Sequence, residues 1–159
     1  EAVVEKELPA TLVLKIQERL PVALILNDEG MVEVDSQGII LRFYDTWPKE
    51  DNPVLTGIEV PDTLGPGQRI NNPQLDKGLL LIGQAPESLV PIMGEIHISA
   101  DGQIFLYLTT GIEVKIGHDN ENIAKLKLLK ELLDSNEYKA VEKAINYIDL
   151  TAGKPVLGQ

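Results

Sequence analysis

Residues 95–116 contain three short segments in which every second residue is isoleucine, leucine or valine. These residues are Ile96 and Ile98, then Ile104, Leu106 and Leu108, then Ile112, Val114 and Ile116. A two-residue period is that of a half-buried strand. Asp101 and Gly102 favour a tight hairpin turn after the first segment, and Gly111 favours a turn after the second. The pattern therefore predicts a three-stranded antiparallel meander with one apolar face that the rest of the chain must cover.

Other segments have the helical period. Asn72 and Pro73 are a favourable N-cap and first residue for a helix with the apolar stripe Leu75, Leu79 and Ile82. A second helix, capped by Asp119 or Asn120, places Ile123, Leu126, Leu129 and Leu133 on one face and Lys125, Lys127 and Lys130 elsewhere. Ser135 is a candidate cap for a shorter helix. Strands and helices in this order predict an α+β fold, a largely antiparallel curved sheet with helices packed on one face.

The last segment of the chain reads as the final strand of a domain. Ile148 and Leu150 alternate with the residues beside them until Gly153 and Pro155 interrupt the pattern. A terminal strand has no later strand to cover it, so a second chain can hydrogen-bond to its free backbone groups. We therefore predict a partner-binding edge formed by Tyr147, Ile148, Asp149, Leu150, Thr151, Gly153, Lys154, Pro155, Val156 and Leu157.

Charge and composition restrict the partners. The chain has 159 residues, no cysteine and a net charge of -11, which repels nucleic acid and anionic lipid. Residues 1–60 contain 12 acidic and 5 basic residues, whereas residues 119–159 contain 7 and 6. Because interface centres tend to lose charge, this asymmetry favours a C-terminal interface. No apolar run is long enough to span a membrane. A strand pattern at Ala2–Val4 suggests that the sequence is part of a longer protein, whose missing N-terminal portion would include any anchor.

A catalytic or metal site is not expected. His97 and His118 are the only histidines, and without cysteine they fall short of a structural zinc site. Three carboxylate pairs lie in or beside predicted turns, where such side chains are usually solvated: Asp28 with Glu29, Glu33 with Asp35, and Glu50 with Asp51. We expect no cofactor, no small-molecule substrate and no enzymatic activity.

Taken in order, several segments resemble the bacterial cell-division family FtsQ/DivIB. They are residues 8–23 with Leu8, Pro9, Leu12, Glu18, Arg19 and Pro21; Val34, Asp35, Gly38 and Ile39; Pro53 to Gly57; Gly111, Ile112, Val114, Gly117, Lys125, Leu126 and Leu129; and Ile148, Asp149, Leu150, Lys154, Pro155 and Val156. The resemblance spans nearly the whole chain. It implies that residues 1–21 are the C-terminal strands of a POTRA-like module and residues 22–159 an FtsQ/DivIB-like β domain.

The resemblance also implies a function. Family members are non-enzymatic scaffolds of the divisome, with one N-terminal membrane helix and their POTRA and β domains on the extracytoplasmic side of the plasma membrane at the septum. They bind the small coiled-coil proteins FtsB (or DivIC) and FtsL through their C-terminal strands. One departure concerns the interface: members commonly carry an arginine after the Asp–Leu pair, with an aromatic residue nearby, whereas Thr151 and Ala152 follow here.

Two alternatives remain open from the residues alone. Phe43, Tyr44 and Trp47 form one local aromatic cluster, which is what an extracytoplasmic glycan-binding or adhesive module would use for stacking. A hydrolase acting through one of the carboxylate pairs is the third possibility.

Overall fold

A computed structural model describes residues 2–7, 11–27, 30–49, 51–118 and 122–159. Within these residues the strands are β1 (Ala2–Glu7), β2 (Thr11–Ile16), β3 (Pro21–Asn27), β4 (Gly30–Asp35), β5 (Ile40–Tyr44), β6 (Val54–Thr56), β7 (Met93–Ile98), β8 (Ile104–Leu108), β9 (Glu113–Gly117), β10 (Tyr147–Asp149) and β11 (Val156–Gly158). The helices are α1 (Pro73–Gln84), α2 (Asn122–Asp134) and α3 (Asn136–Val141), with short 3₁₀ turns at Val90–Ile92 and Glu142–Ala144.

Nine strands form one mixed sheet in the order β11-β10-β9-β8-β7-β6-β3-β4-β5. Five of the eight neighbouring pairs are antiparallel, and the pairs β3–β6, β6–β7 and β9–β10 are parallel. The expected α+β class with a mostly antiparallel sheet is therefore confirmed. The parallel pairs require crossovers, and α1 joins β6 to β7 while α2 and α3 join β9 to β10.

The predicted meander is present as β7, β8 and β9, paired antiparallel in sequence. Ser99 N–H donates to the carbonyl of Gln103 at 3.0 Å, which closes the first hairpin around a three-residue loop. Gly102, the last residue of that loop, has φ +87°, in the left-handed region where a glycine is favoured.

One row of side chains crosses the sheet and forms the centre of the core. Cross-strand register aligns aliphatic residues of six consecutive strands, each at most 1% exposed: Ile25, Leu55, Ile96, Leu106, Val114 and Ile148. The helices cover this face. Gly78 of α1 lies directly on it, because a Cβ at that position would come within 2.9 Å of Leu55 Cδ2 and 3.1 Å of Ile98 Cδ1.

Helix α1 begins as predicted. The Asn72 side chain accepts hydrogen bonds from Gln74 N–H at 2.8 Å and Leu75 N–H at 3.2 Å, and Pro73 is the first helical residue. Ser135 caps α3 in the same way, accepting from Tyr138 N–H at 3.1 Å.

The predicted orientation of α2 is wrong at its first turn. Leu126 and Leu129 are fully buried as expected, but Ile123 is 43% exposed and Lys125 is 5% exposed. Lys125 reaches the end of β9, where its ammonium donates to the carbonyl of Ile116 at 2.7 Å. That hydrogen bond offsets part of the cost of burying a charged group. Asp119 and Asn120, the predicted N-cap residues of α2, lie outside the described residues.

Strands β1 and β2 form a separate two-stranded sheet. The segment that follows it is attached to the larger sheet by Arg19, whose guanidinium contacts the Asp35 carboxylate at 2.5 Å. Burial alone would raise the pKa of Asp35. Hydrogen bonds from Ile39 N–H, Arg19 and Gln37 N–H outweigh burial and hold the pKa below its ordinary value. The assignment of residues 1–21 to a preceding module stays a prediction.

The core predicts a contrast between two neighbouring residues of α2. Leu126→Ala should lower the free energy of unfolding by about 2–5 kcal/mol, because it removes buried methyl groups and leaves a cavity. Lys127→Ala, at an exposed position, should change it by less than about 0.5 kcal/mol. Urea denaturation of both variants measures the difference, and equal losses would contradict the observed orientation of α2.

Candidate partner-binding edge

The predicted edge residues form a short hairpin at one end of the nine-stranded sheet. Tyr147, Ile148 and Asp149 are β10, and Val156 and Leu157 belong to β11. The residues between them form the connection, which contains Leu150, Thr151, Gly153, Lys154 and Pro155. The structure therefore brings all ten predicted residues together.

The prediction that no strand covers β10 is wrong. Strand β11 returns antiparallel to β10, with Ile148 opposite Leu157, so the edge of the sheet is β11. The return is possible because Gly153 adopts φ +75° in the turn, and Pro155 stands before the first residue of β11. Ile148 and Leu150 are fully buried, which makes them part of the core and leaves β11 as the surface that a partner could reach.

Hydrogen bonds to β9 fix the direction of the backbone groups in β10. Leu150 N–H donates to the carbonyl of Lys115 at 2.9 Å, and Glu113 N–H donates to the carbonyl of Asn146 at 3.1 Å. The carbonyl of Asn146 and the backbone groups of positions 148 and 150 therefore face β9, while the N–H of Asn146, just before β10, donates to Gly158 of β11. Because direction alternates along a strand, Tyr147 and Asp149 direct theirs to β11.

The same alternation identifies the free groups of β11. Gly158 and Val156 lie opposite Tyr147 and Asp149 and direct their backbone groups back to β10. Leu157, between them, directs its N–H and C=O away from the sheet. Its side chain is 37% exposed, and that of Val156 is 52% exposed. The outer edge thus combines an open backbone position with apolar side chains.

The turn after β10 is held by Asp149. Its carboxylate accepts from the Thr151 hydroxyl at 2.6 Å and from Thr151 N–H at 2.8 Å. These two hydrogen bonds, helped by the positive charges of Lys115 and Lys125, hold the pKa of Asp149 below its ordinary value of 3.8. The side chain therefore acts as an anionic clasp for the connection that leads to β11.

Two residues outside the predicted set also shape this edge. The ammonium of Lys115 lies 4.8 Å from the centre of the Tyr147 ring. Gly158 lies opposite Tyr147, and a Cβ placed on Gly158 would overlap Cε1, Cζ and the hydroxyl oxygen of that ring. Neither residue could be found from a two-residue period, because that pattern gives no information on which strands are neighbours.

The other end of the sheet is protected. Ile40 at the start of β5 donates its N–H to the carbonyl of Gln68 at 2.9 Å and accepts from Gly67 N–H at 2.8 Å, so the segment after β6 covers the start of this edge. The register of β5 shifts beside Val34, and the exposed Arg42 pairs with Glu33 at 3.2 Å. Bulges and charged side chains are features that discourage pairing with another chain.

The aromatic cluster on β5 does not form a stacking platform. Phe43 and Tyr44 are consecutive strand residues and point to opposite faces of the sheet. Phe43 lies opposite Val32, whereas Tyr44 lies opposite Met31 with its hydroxyl 3.4 Å from Glu33 Oε1. Trp47 is 63% exposed in the following loop. These placements give no support to the glycan-binding alternative.

The carboxylate pairs that the structure describes have structural partners. Glu33 pairs with Arg42, and Asp35 accepts from Arg19 and from the N–H groups of its own turn. Asp28, Glu29 and Glu50 lie outside the described residues. Across the described segments, no three histidine, aspartate or glutamate side chains are grouped so that they could hold a metal ion. His97 Nδ1 lies 2.9 Å from Thr56 Oγ1, and His118 is 3.8 Å from Asp101.

Comparison with known families decides the relationship of the chain. The family described as "Cell division protein FtsQ/DivIB, C-terminal" matches residues 23–151. The chain belongs to the FtsQ/DivIB family. The resemblance seen in the sequence is thus confirmed. The match includes β10 and ends before β11.

Individual relatives agree with the FtsQ/DivIB assignment. The cell division protein FtsQ of Syntrophotalea carbinolica is 26% identical over 158 residues, which are 97% of this chain and 54% of that protein. The chain therefore spans about half the length of this curated relative. The fold is similar to that of the major extracytoplasmic domain of the trans isomer of DivIB from Geobacillus stearothermophilus. The TM-score is 0.51 at 18% identity, over 81% of this chain and 98% of that one. Within the described residues, no helix has both the length and the apolar character needed to cross a membrane.

The Asp149 clasp generates a prediction about pH. Thr151→Val should raise the pKa of Asp149 towards 3.8, because the hydroxyl bond is lost while the bond from the backbone N–H remains. Since the folded-state pKa is depressed, the contribution of these hydrogen bonds to stability is complete above the ordinary pKa of 3.8 and is lost as pH falls through the folded value. Carbon-13 NMR titration of the Asp149 carboxyl measures the pKa.

Thr110→Val, at an exposed position in the turn between β8 and β9, is the control for this titration. It should leave the pKa of Asp149 unchanged. If Thr151→Val also left it unchanged, the hydroxyl would not contribute to the clasp.

Proposed function

We propose that this chain is a non-enzymatic divisome scaffold that binds small bitopic coiled-coil division proteins, of the FtsB/DivIC and FtsL types, by β-strand addition at β11. The observation that carries the proposal is the outward-directed backbone of Leu157 on an uncharged strand. Strand addition satisfies such groups with main-chain hydrogen bonds, and alternate side chains then supply specificity.

The amino-acid composition of the β11 edge supports the proposal that a strand of another protein pairs with it. Lys154 is the one charged residue between positions 150 and 159, and β11 itself contains none. Edge strands of proteins that stay monomeric usually have charges, prolines or bulges in the strand to prevent pairing. Because β5 has a bulge, Arg42 and a covering segment, the two ends of the sheet differ as expected for a sheet that associates at one end.

The arrangement of the full-length protein belongs to the same proposal. Residues 1–21 would contribute the last strands of a POTRA-like module, and a single upstream helix would anchor the protein in the plasma membrane with this portion on the extracytoplasmic side of the septum. Two observations support this. The chain spans about half of its curated relative, and β1 and β2 form a two-stranded sheet, which is marginally stable without further strands.

Substitution at Leu157 tests strand addition. Leu157→Pro removes the outward N–H without removing a hydrogen bond to β10, and should weaken binding by at least about tenfold. Leu157→Ala keeps the N–H and should lose less, because only the side-chain contact is reduced. Isothermal titration of the chain with the extracytoplasmic segment of the FtsB/DivIC-type protein of the same bacterium measures both affinities.

Leu157→Pro is a sharper probe than removal of residues 151–159, because that truncation uncovers the edge of β10 and creates a second pairing site. Circular dichroism should show that both variants remain folded. If Leu157→Pro bound as tightly as the unmodified chain, strand addition at β11 would be excluded and the surface around Phe43 and Trp47 would be tested next.

A further inference from the structure

The side chain of Tyr147 occupies space that a residue of β11 would normally fill. Gly158 lies directly opposite Tyr147 in the register, and any Cβ at position 158 would overlap the outer half of the tyrosine ring. The outer half of the ring therefore lies over the backbone of the edge strand at Gly158. Because neighbouring strands are about 4.8 Å apart, a side chain opposite Gly158 on an added strand could contact this part of the ring.

The ring is held in this direction from the inner side. Lys115 on β9 places its ammonium 4.8 Å from the ring centre, which is within the distance of a cation–π contact. Lys115 also lies 3.8 Å from the Glu113 carboxylate. Since Glu113 is the neighbour of Tyr147 in the register, the Lys115 and Glu113 side chains lie behind the ring, on the side away from the edge.

The surface that faces an added strand is apolar. Val156 points to the same face of the sheet as Gly158, two positions away, and is 52% exposed. The outer half of the Tyr147 ring and the Val156 side chain thus form adjacent contacts at the edge. A charged side chain placed between them would lose hydration, and β11 itself has no charged residue to pair with it.

We propose that Tyr147 is the side chain of this edge that recognises the partner strand. Its ring is accessible there because Gly158, the residue opposite it on β11, has no side chain. Tyr147 selects a partner strand that carries a β-branched or aromatic side chain opposite Gly158. This inference rests on the proposed function and adds a requirement about the partner's sequence. Pairs of aromatic and β-branched residues on neighbouring strands are among the more stabilising cross-strand contacts.

The test compares Tyr147→Val with Tyr107→Val. Valine favours the strand conformation, so β10 keeps its pairing, but the side chain is too short to cross Gly158. Tyr107 stands on the same face in the same row, two strands further from the edge than Tyr147, and serves as the matched control. We expect Tyr147→Val to weaken binding of the extracytoplasmic segment of the FtsB/DivIC-type protein about fivefold or more, and Tyr107→Val by less than about twofold. Tyr147→Phe should bind like the unmodified chain, because the ring is kept.

An alanine scan of the partner segment then locates the contact. In the unmodified chain, one apolar position of the partner should show a large loss, and that loss should nearly disappear when the scan is repeated with Tyr147→Val. Amide hydrogen exchange checks that the edge is intact. Asn146 N–H donates to the carbonyl of Gly158 at 2.8 Å, so its protection shows that β11 is still docked.

The outcomes separate this inference from the proposed function. If the unmodified chain does not bind the partner segment, or if Leu157→Pro has no effect, strand addition at β11 fails and the inference with it. If Leu157→Pro abolishes binding while Tyr147→Val binds normally, or if no partner position is coupled to Tyr147, the edge pairs through its backbone and Tyr147 is not the recognition element.

Discussion

The parallel pairing of β9 with β10 is the contact on which the whole C-terminal edge depends. Parallel neighbours cannot be joined by a tight turn, so the chain leaves the sheet after Gly117 and returns at Tyr147. The crossover consists of α2 and α3, and Leu126 and Leu129 of α2 complete the core over the meander. One connection therefore both closes the core and places β10 where the last hairpin can add β11.

The two ends of the sheet have opposite properties, and this asymmetry limits how the protein can associate. At β5, the start of the strand is paired with residues 67–70 and the rest carries a bulge beside Val34 and the charge of Arg42. At β11, the backbone N–H and C=O of Leu157 face away from the sheet with no partner among the described residues, and the strand contains no charged residue. A sheet with two open edges could form continuous chains of molecules, whereas one with a single open edge accepts one strand and stops.

Sequence alone predicted the features that depend on local order. Residue period and turn chemistry are enough to predict three features: the strands in residues 95–116, the helix cap formed by Asn72 and Pro73, and the presence of a C-terminal edge. Sequence alone did not predict the features that depend on contacts between residues far apart in the chain. The charge of Lys125 predicts a solvent-exposed side chain, but its ammonium donates a hydrogen bond to the carbonyl of Ile116. Strand β11 has three residues, too few for a recognisable period, and the Tyr147–Gly158 pair depends on a register that only the folded sheet defines.

Since β11 is hydrogen-bonded to β10 alone among the described strands, a segment that pairs with β11 has affinity for those molecules in which β10 is already in place. By mass action, occupancy of the edge draws the population towards the fully docked hairpin and lowers the fraction in which it is frayed. Apparent affinity falls in proportion to any population that lacks the docked hairpin. A partner that pairs with β11 would therefore bind those molecules in which the C-terminal hairpin is complete, and would not bind molecules in which β10 is not in place.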